Sequence, residues 1–302
     1  MTSRSEPSIR EILRQVQVGV DGALDTLLPS PDERPHRLHE AMRYSVFAGG
    51  KRIRPALLVL TAEAFGAGRD ELLPAASALE LIHTYSLIHD DLPALDNDDL
   101  RRGKPTLHRR YGEATAILAG DALLTLGLGV LAREPADRGP TVRLRALQAV
   151  GAAIGTRGMI GGQMADLETS DRWPESAATE LEWIHRRKTG ALIRVAVFLG
   201  GLYADASDAE LNRLGRLGEL IGLSFQIADD MLDVEGSVGN LGKSVGKDAE
   251  ARKLTYPGLF GLEESRKLLE RAREEALAVA GELPKRGGAL SPLIDFVCVR
   301  DH

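Results

Sequence analysis

The chain has 302 residues, 43% hydrophobic but only 4% aromatic, with a net charge of −6 and a single cysteine, Cys298. Such a composition supplies a substantial apolar core, and its many Ala, Leu and Gly residues favour closely packed helices over a β-sandwich. The negative balance excludes general nucleic-acid binding. A lone cysteine excludes a disulfide framework and fits a reducing cytoplasm.

In chain order, the N-terminal MTSRSEPSIREILRQ lacks an apolar signal core. No run of about 18 uncharged apolar residues occurs, so no membrane span is expected. Helical periodicity dominates, and clean period-2 alternation is absent. Ile9, Leu13, Val16 and Val20 make a first stripe, so residues 1–30 are read as an N-terminal helix. Leu38, Met42 and Val46 make a second, which stops at Gly49-Gly50. Pro55 opens a third helix, 56–65, ended by Gly66, because proline is tolerated in a first turn. Pro74 sits likewise near the start of the helix that runs into His89-Asp90. Apolar runs such as 122–132 read as buried helices. Farther on, Leu211, Leu214, Gly218, Ile221 and Phe225 form a stripe at 3,4,3,4 spacing, and Asp229 is its next position. An acid at the end of a core-facing row is out of place for a surface residue. Polar, breaker-rich segments at 134–140, 169–176, 236–246 and 281–288 separate the helices, and none is long enough for an interdomain linker. The expectation is one all-α domain over 1–302 with roughly ten or more helices and no tandem repeat.

Two aspartate-rich segments carry the chemistry: HDDLPALDNDDLRRG at 89–103 and FQIADDMLD at 225–233. Carboxylates this crowded repel one another unless a cation sits between them. Mg²⁺ suits such oxygen ligands, with substrate phosphate completing its shell. The two segments are therefore expected to form two walls of one cavity that clamps a polyphosphate. Asp229 and Asp233 are i and i+4 and share a helix face. Pro93 disturbs the helix after Asp90, so Asp96 is expected to return from a distorted turn. Taken singly, each segment also reads as a solvated acidic face or loop. The His89-Asp90 dipeptide spells the pair used by metal phosphohydrolases, but the further histidine ligands are not arranged for it.

Basic residues lie in the same regions: Gly49-Gly50-Lys51-Arg52-Ile53-Arg54, the Arg101-Arg102 pair, Lys188-Thr189-Gly190, and Lys243, Lys247 and Lys253. Arg and Lys bind phosphate, Arg in bidentate fashion. His83 precedes Asp90 by seven residues, about two turns, and so lies on the same side. Any one of these is most often a surface charge or a satisfied core histidine. Together with the acidic segments they point to metal-assisted diphosphate chemistry.

Six segments in order, AGGKRIRPAL, LIHTYSLIHDDLPALDNDDLRRGKPTLH, EATAILAGDALL, GMIGGQMADL, HRRKTGALI and FQIADDMLDVEG followed by LGKSVGKD, resemble the trans-polyprenyl diphosphate synthases of short chain length. The likeness runs from about residue 35 to the C-terminus. The four residues between Asp91 and Asp96 are similar to bacterial farnesyl and to plant or bacterial geranylgeranyl diphosphate synthases. The resemblance implies a single helical bundle of the isoprenoid-synthase type around a deep central cavity, usually a homodimer. It implies that Asp90 and Asp96 bind two Mg²⁺ ions with Asp91 in support, and that Asp229 binds a third with Asp233 acting through water. Three ions are expected with substrate bound, and Mn²⁺ can substitute. By the same likeness, Arg101, Lys188, Thr189, Gln226, Lys243 and Lys253 contact the allylic diphosphate, while Lys51, Arg54, His83 and Arg102 hold isopentenyl diphosphate.

The implied activity is head-to-tail condensation of isopentenyl diphosphate with dimethylallyl or geranyl diphosphate. Tyr85, five residues before Asp90, with Ser86 beside it, occupies the family's common chain-length floor. A bulky ring there resembles the farnesyl-producing pattern; geranylgeranyl diphosphate is the alternative product. A terpene cyclase or metal-dependent diphosphate hydrolase would not need the isopentenyl residues, and a non-enzymatic acidic helical module would leave the ordered basic residues unexplained.

Overall fold

A computed structural model describes residues 7–170, 176–239 and 254–298. Among these residues there are thirteen α-helices and one two-stranded hairpin, so the fold is all-α as expected. The chain falls into two compact units, Met1–Ala62 with Ala67–Leu147, and Glu63–Gly66 with Gln148–His302.

The first unit contains α1 (Ile9–Leu27), α2 (His36–Val46), α3 (Ile53–Ala64), α4 (Leu73–Asp90), α5 (Leu107–Tyr111) and α6 (Glu113–Arg133). Helix α1 is amphipathic in the expected way: Leu13, Val16, Val20 and Leu24 are buried, and the Ser8 hydroxyl caps it by accepting the Glu11 N–H at 3.3 Å. Helix α4 is buried almost all round, from Ala75 to Ile88, and so forms the centre of its unit. Helix α6 is long and apolar enough to cross a membrane by length and composition alone, with mean hydropathy 1.8. It carries Asp121 in its middle, however, and buries Ala116, Ala119, Leu123 and Leu131 against its own unit. Between α4 and α5 lies a hairpin that alternation in the sequence does not announce, β1 (Leu100–Arg101) against β2 (Lys104–Pro105). Its turn residues Arg102 and Gly103 both have positive φ, 53° and 74°, as the tight hairpin turn requires.

Helix α7 (Pro140–Ile154) leads from one unit into the other. The second unit then holds α8 (Met159–Ser170), α9 (Ala177–Lys188), α10 (Gly190–Tyr203), α11 (Asp208–Gly239), α12 (Tyr256–Gly281) and α13 (Leu290–Cys298). Helix α10 is the buried centre here, with eleven of its residues inside. Helix α11 packs on α10 and α12 and runs through Gly236, past the break expected there. Helix α12 starts at a Thr255 cap whose hydroxyl accepts the Gly258 N–H at 3.2 Å.

Candidate active site

In the first unit, α4 ends at Asp90 and the chain folds into a compact turn. Asp91 N–H still donates to Leu87 at 3.1 Å, but Asp96 N–H then donates back to the carbonyl of Asp90 at 2.9 Å. The residue pair Asp90 and Asp96 is thereby joined across one distorted turn, as Pro93 implies. Both are partly exposed, whereas Asp91 between them is buried. The Asp91 carboxylate accepts a hydrogen bond from Arg101 Nε at 2.7 Å, and Nη2 of the same guanidinium lies 2.7 Å from the same oxygen. Burial raises it to about 6 against the pull of Arg101, so at neutral pH it is ionised and fixes the guanidinium. Asp91 thus acts on Arg101.

The basic residues of this unit separate into two kinds. Arg52 is a strut: it is 3% exposed and bonds Asp21 at 2.9 Å, Glu80 at 2.8 Å and the carbonyl of Val46 at 2.8 Å. Burial opposes its charge, but Glu80 and Asp21 outweigh that and raise its basicity. Arg54, His83, Arg101 and Arg102 form the second kind. His83 is driven well below the usual imidazole range by desolvation first, then by Arg54, Arg102 and Arg101. Arg102 donates to the carbonyl of Gly49, and a Cβ on Gly50 would lie 2.7 Å from the Arg102 guanidinium. A larger residue would push the guanidinium aside, and the φ of +138° at this position also favours glycine. Lys51 follows on the same turn and is exposed. Four of the cationic or polar residues expected to hold diphosphate are therefore gathered by α3, α4, the hairpin and the Gly49-Gly50 loop.

Tyr85 is buried one turn before His89, its ring edge-on to that imidazole with centroids 5.5 Å apart. Its hydroxyl is made less acidic by burial and by Asp90 and Asp121. Ser86 donates to the carbonyl of His83 at 2.8 Å.

In the second unit, Asp229 proves exposed and its neighbour Asp230 buried at 4%. The stripe leading from Leu211 through Ile221 is buried as expected and opens outward at Asp229. Asp233 and Gln226 are half-buried and share that face. Asp230 turns the other way, toward the apolar cluster of Leu181, Ile227, Met231, Leu254 and Tyr256. There it accepts the Gln226 side-chain amide at 2.8 Å and the Tyr256 backbone N–H at 2.9 Å. Its role is to join α11 to the start of α12, a function that the sequence left blank.

Lys188 ends α9 and pairs with Asp166 of α8 at 2.6 Å, both largely buried. The close approach depends on Gly162, because a Cβ there would collide with the backbone of Lys188. Thr189 joins α9 to α10. His185, one turn before Thr189, is held down to about 3 by burial, despite Asp166. Asp166 and Gln163, whose buried Nε2 has no hydrogen-bond partner among the described residues, carry no role in the sequence reading. Their signal was present: two polar residues three apart in the otherwise apolar MIGGQMADL. Lys243 and Lys253 lie outside the described residues.

Among the described residues, no three His, Cys, Asp or Glu side chains are grouped as a ready metal cage. A Mg²⁺ site shared with substrate takes one or two carboxylates and completes its shell with phosphate and water. Each unit offers accessible hard oxygen donors suited to such an ion, Asp90 and Asp96 in the first and Asp229 in the second.

The Polyprenyl synthetase family profile matches residues 35–283. A farnesyl diphosphate synthase of Geobacillus stearothermophilus is 43% identical over 296 residues, covering 98% of this chain and 99% of that protein. The large subunit 1 of a heterodimeric chloroplast geranylgeranyl pyrophosphate synthase from Arabidopsis thaliana is 45% identical over 279 residues, covering 90% of this chain and 75% of the relative. A crystal structure of an FPP/GFPP synthase from Zymomonas mobilis superposes with a TM-score of 0.85 at 35% identity, covering 96% of this chain and 99% of that one. With the acidic turn, the arginine–histidine group and the Lys188–Asp166 pair all inside the matched span, the chain belongs to the polyprenyl synthetase family.

Proposed function

We propose that this chain is a farnesyl diphosphate synthase, a prenyltransferase that adds isopentenyl diphosphate head-to-tail to dimethylallyl and then geranyl diphosphate. The observation that carries this reading is the gathering of Arg54, His83, Arg101 and Arg102 beside the Asp90–Asp96 turn. A cyclase or diphosphate hydrolase handles one diphosphate and needs no such additional cationic group. The Geobacillus stearothermophilus relative, named a farnesyl diphosphate synthase, supports the fifteen-carbon product, as does the buried Tyr85.

In the reaction the allylic C–O bond breaks, the isopentenyl double bond attacks the allylic carbon, and a proton is lost to the departing diphosphate. Asp90, Asp96, Asp229 and Asp233 are the residues that would hold Mg²⁺, which when bound neutralises charge on that leaving group. Lys188, Thr189, Arg101, Gln226, Lys243 and Lys253 bind the allylic diphosphate. Asp166 and Asp91 hold Lys188 and Arg101 in place for this task. Lys51, Arg54, His83 and Arg102 hold isopentenyl diphosphate. His83, with its basicity depressed, stays neutral at pH 7 and orients that substrate by hydrogen bonding. Fixing both substrates removes much of the entropic barrier, and Tyr85 with Ser86 ends the chain at three isoprene units.

The two units work as one catalytic domain, in keeping with a family match that runs across both. The enzyme is a cytoplasmic homodimer; exposed Ile117 (44%), Leu118 (59%) and Leu144 (55%) supply apolar surface for a partner. Incubation of the purified protein with isopentenyl and geranyl diphosphates tests the reading. Farnesyl diphosphate is expected with Mg²⁺ or Mn²⁺ and none with excess chelator. No elongation with metal, or full turnover in chelator, overturns it; a main product of twenty carbons makes the enzyme a geranylgeranyl diphosphate synthase instead.

A further inference from the structure

The second unit carries a cavity of ≈ 390 Å³ that the reaction above does not use, a volume within the range of small-ligand sites. Its lining comes from α7 and the turn after it, α9, α10 and α11, and includes none of the residues assigned to substrate or metal. Alanines such as Ala153, with Phe198, make an apolar surface, and Arg157, Arg186, Arg187 and Arg194 stand among them. Glu219 is the one carboxylate in the lining. Glu182 and Glu219 balance Arg186 and Arg194, so Arg157 and Arg187 leave an excess of positive charge at this place on a chain of net charge −6.

The arginines are held so that an anion can engage them. Arg187 lies over the Trp183 ring at 3.9 Å and donates to the Trp183 carbonyl at 3.3 Å. Arg186 pairs with Glu182 at 2.6 Å and Arg194 with Glu219 at 3.0 Å, and the two arginines are 48% and 50% exposed. Pairs this exposed are weak and exchange readily for a better acceptor. Arg157 is exposed and makes no ion pair among the described residues. Guanidinium groups bind phosphate through parallel hydrogen bonds. A bare anion would gain nothing from Phe198 and the alanines, and a plain hydrocarbon nothing from four arginines.

We propose that this cavity binds a phosphorylated short apolar chain, the class to which the enzyme's own prenyl diphosphates belong, as a second site apart from the reaction centre. The identity of the natural ligand rests on the proposed function; the binding chemistry rests on the arginines and the apolar surface. Arg187 directly precedes Lys188, so a ligand here bears on the end of α9 and supplies a route for product feedback.

Equilibrium dialysis of labelled farnesyl diphosphate with Mg²⁺ tests this. Wild type is expected to bind two equivalents per chain. Ala153→Trp, which obstructs the cavity, is expected to bind one. Arg157→Glu weakens the second equivalent by about tenfold or more, the scale of one lost charge-assisted hydrogen bond. Decyl phosphate displaces the second equivalent, whereas inorganic diphosphate and decanol do not. Initial rates of both variants match wild type, which shows that they are folded. One equivalent in wild type, as when a second copy of the chain covers the cavity, or two undiminished equivalents in both variants, overturns the site. The two readings fail separately: condensation with one bound equivalent sinks the second site alone, and two equivalents without condensation sink the proposed activity alone.

Discussion

Two adjacent aspartates on α11 should fail in opposite ways when replaced. Asp229 is exposed and Asp230 is 4% exposed. Asp229→Ala removes an exposed carboxylate, so it should cost less stability than loss of its buried neighbour. Turnover should fall by about 10²-fold or more, the scale of one lost transition-state charge stabiliser. Asp230→Ala leaves two donors without an acceptor, the Gln226 amide and the Tyr256 backbone N–H, which now lie at 2.8 and 2.9 Å from the carboxylate. Each stranded buried group costs about 1–3 kcal/mol, and relief of a buried charge offsets part of that. A net loss on the order of 3 kcal/mol follows, with a smaller fall in turnover through Gln226. Asp230→Asn should be milder, because its carbonyl still accepts from Tyr256 and the Gln226 amide can rotate to present its oxygen. Urea denaturation midpoints and steady-state turnover with geranyl diphosphate, measured on all three variants, decide the matter. If Asp229→Ala destabilises as much as Asp230→Ala, or Asp230→Ala is as stable as wild type, the assignment of Asp229 to solvent and Asp230 to the core is wrong.

Three further outcomes follow from the same geometry. Arg54→Ala should raise the apparent KM for isopentenyl diphosphate far more than that for geranyl diphosphate; an equal rise for both refutes the substrate assignment. Tyr85→Ala should lengthen products to twenty carbons or beyond under excess isopentenyl diphosphate, because Tyr85 lies about 7.5 Å down α4 from Asp90 at 1.5 Å per residue; a mutant product that mass spectrometry finds still at fifteen carbons removes it as the floor. His185 is held to about 3 by burial, against an ordinary value of 6.5, so below pH 6.5 unfolding takes up a proton that the native state does not carry. Its contribution is whole above pH 6.5 and falls by about 1.4 kcal/mol per pH unit toward pH 3; His185→Gln should flatten this slope between pH 6.5 and 5, and identical slopes in urea titrations would exclude the mechanism.

Much of the site was legible in the chain itself, because its chemistry depends on residue types at short spacings. Asp229 and Asp233 at i and i+4, and Pro93 after Asp90, forecast a shared helix face and a distorted turn before any fold was known. Helices such as α1 and α4 were equally readable, since burial of Val16, Val20 and Leu24 follows from a 3.6-residue period. What the sequence could not say is which of several like charges faces solvent and which faces protein. Arg52 and Arg54 differ by two residues, yet one is a strut to Glu80 and Asp21 while the other stands by His83. Asp229 and Asp230 differ by one, yet a helix turns them about 100° apart, and only the packing of Leu181, Leu254 and Tyr256 against Ile227 and Met231 decides which is buried. The Arg102-Gly103 hairpin, the Lys188–Asp166 pair and the arginine-lined cavity share that origin. Local propensity sets the elements and supplies the charges, whereas the partner of each charge comes from segments distant in the chain, and only the folded core brings them within bonding distance.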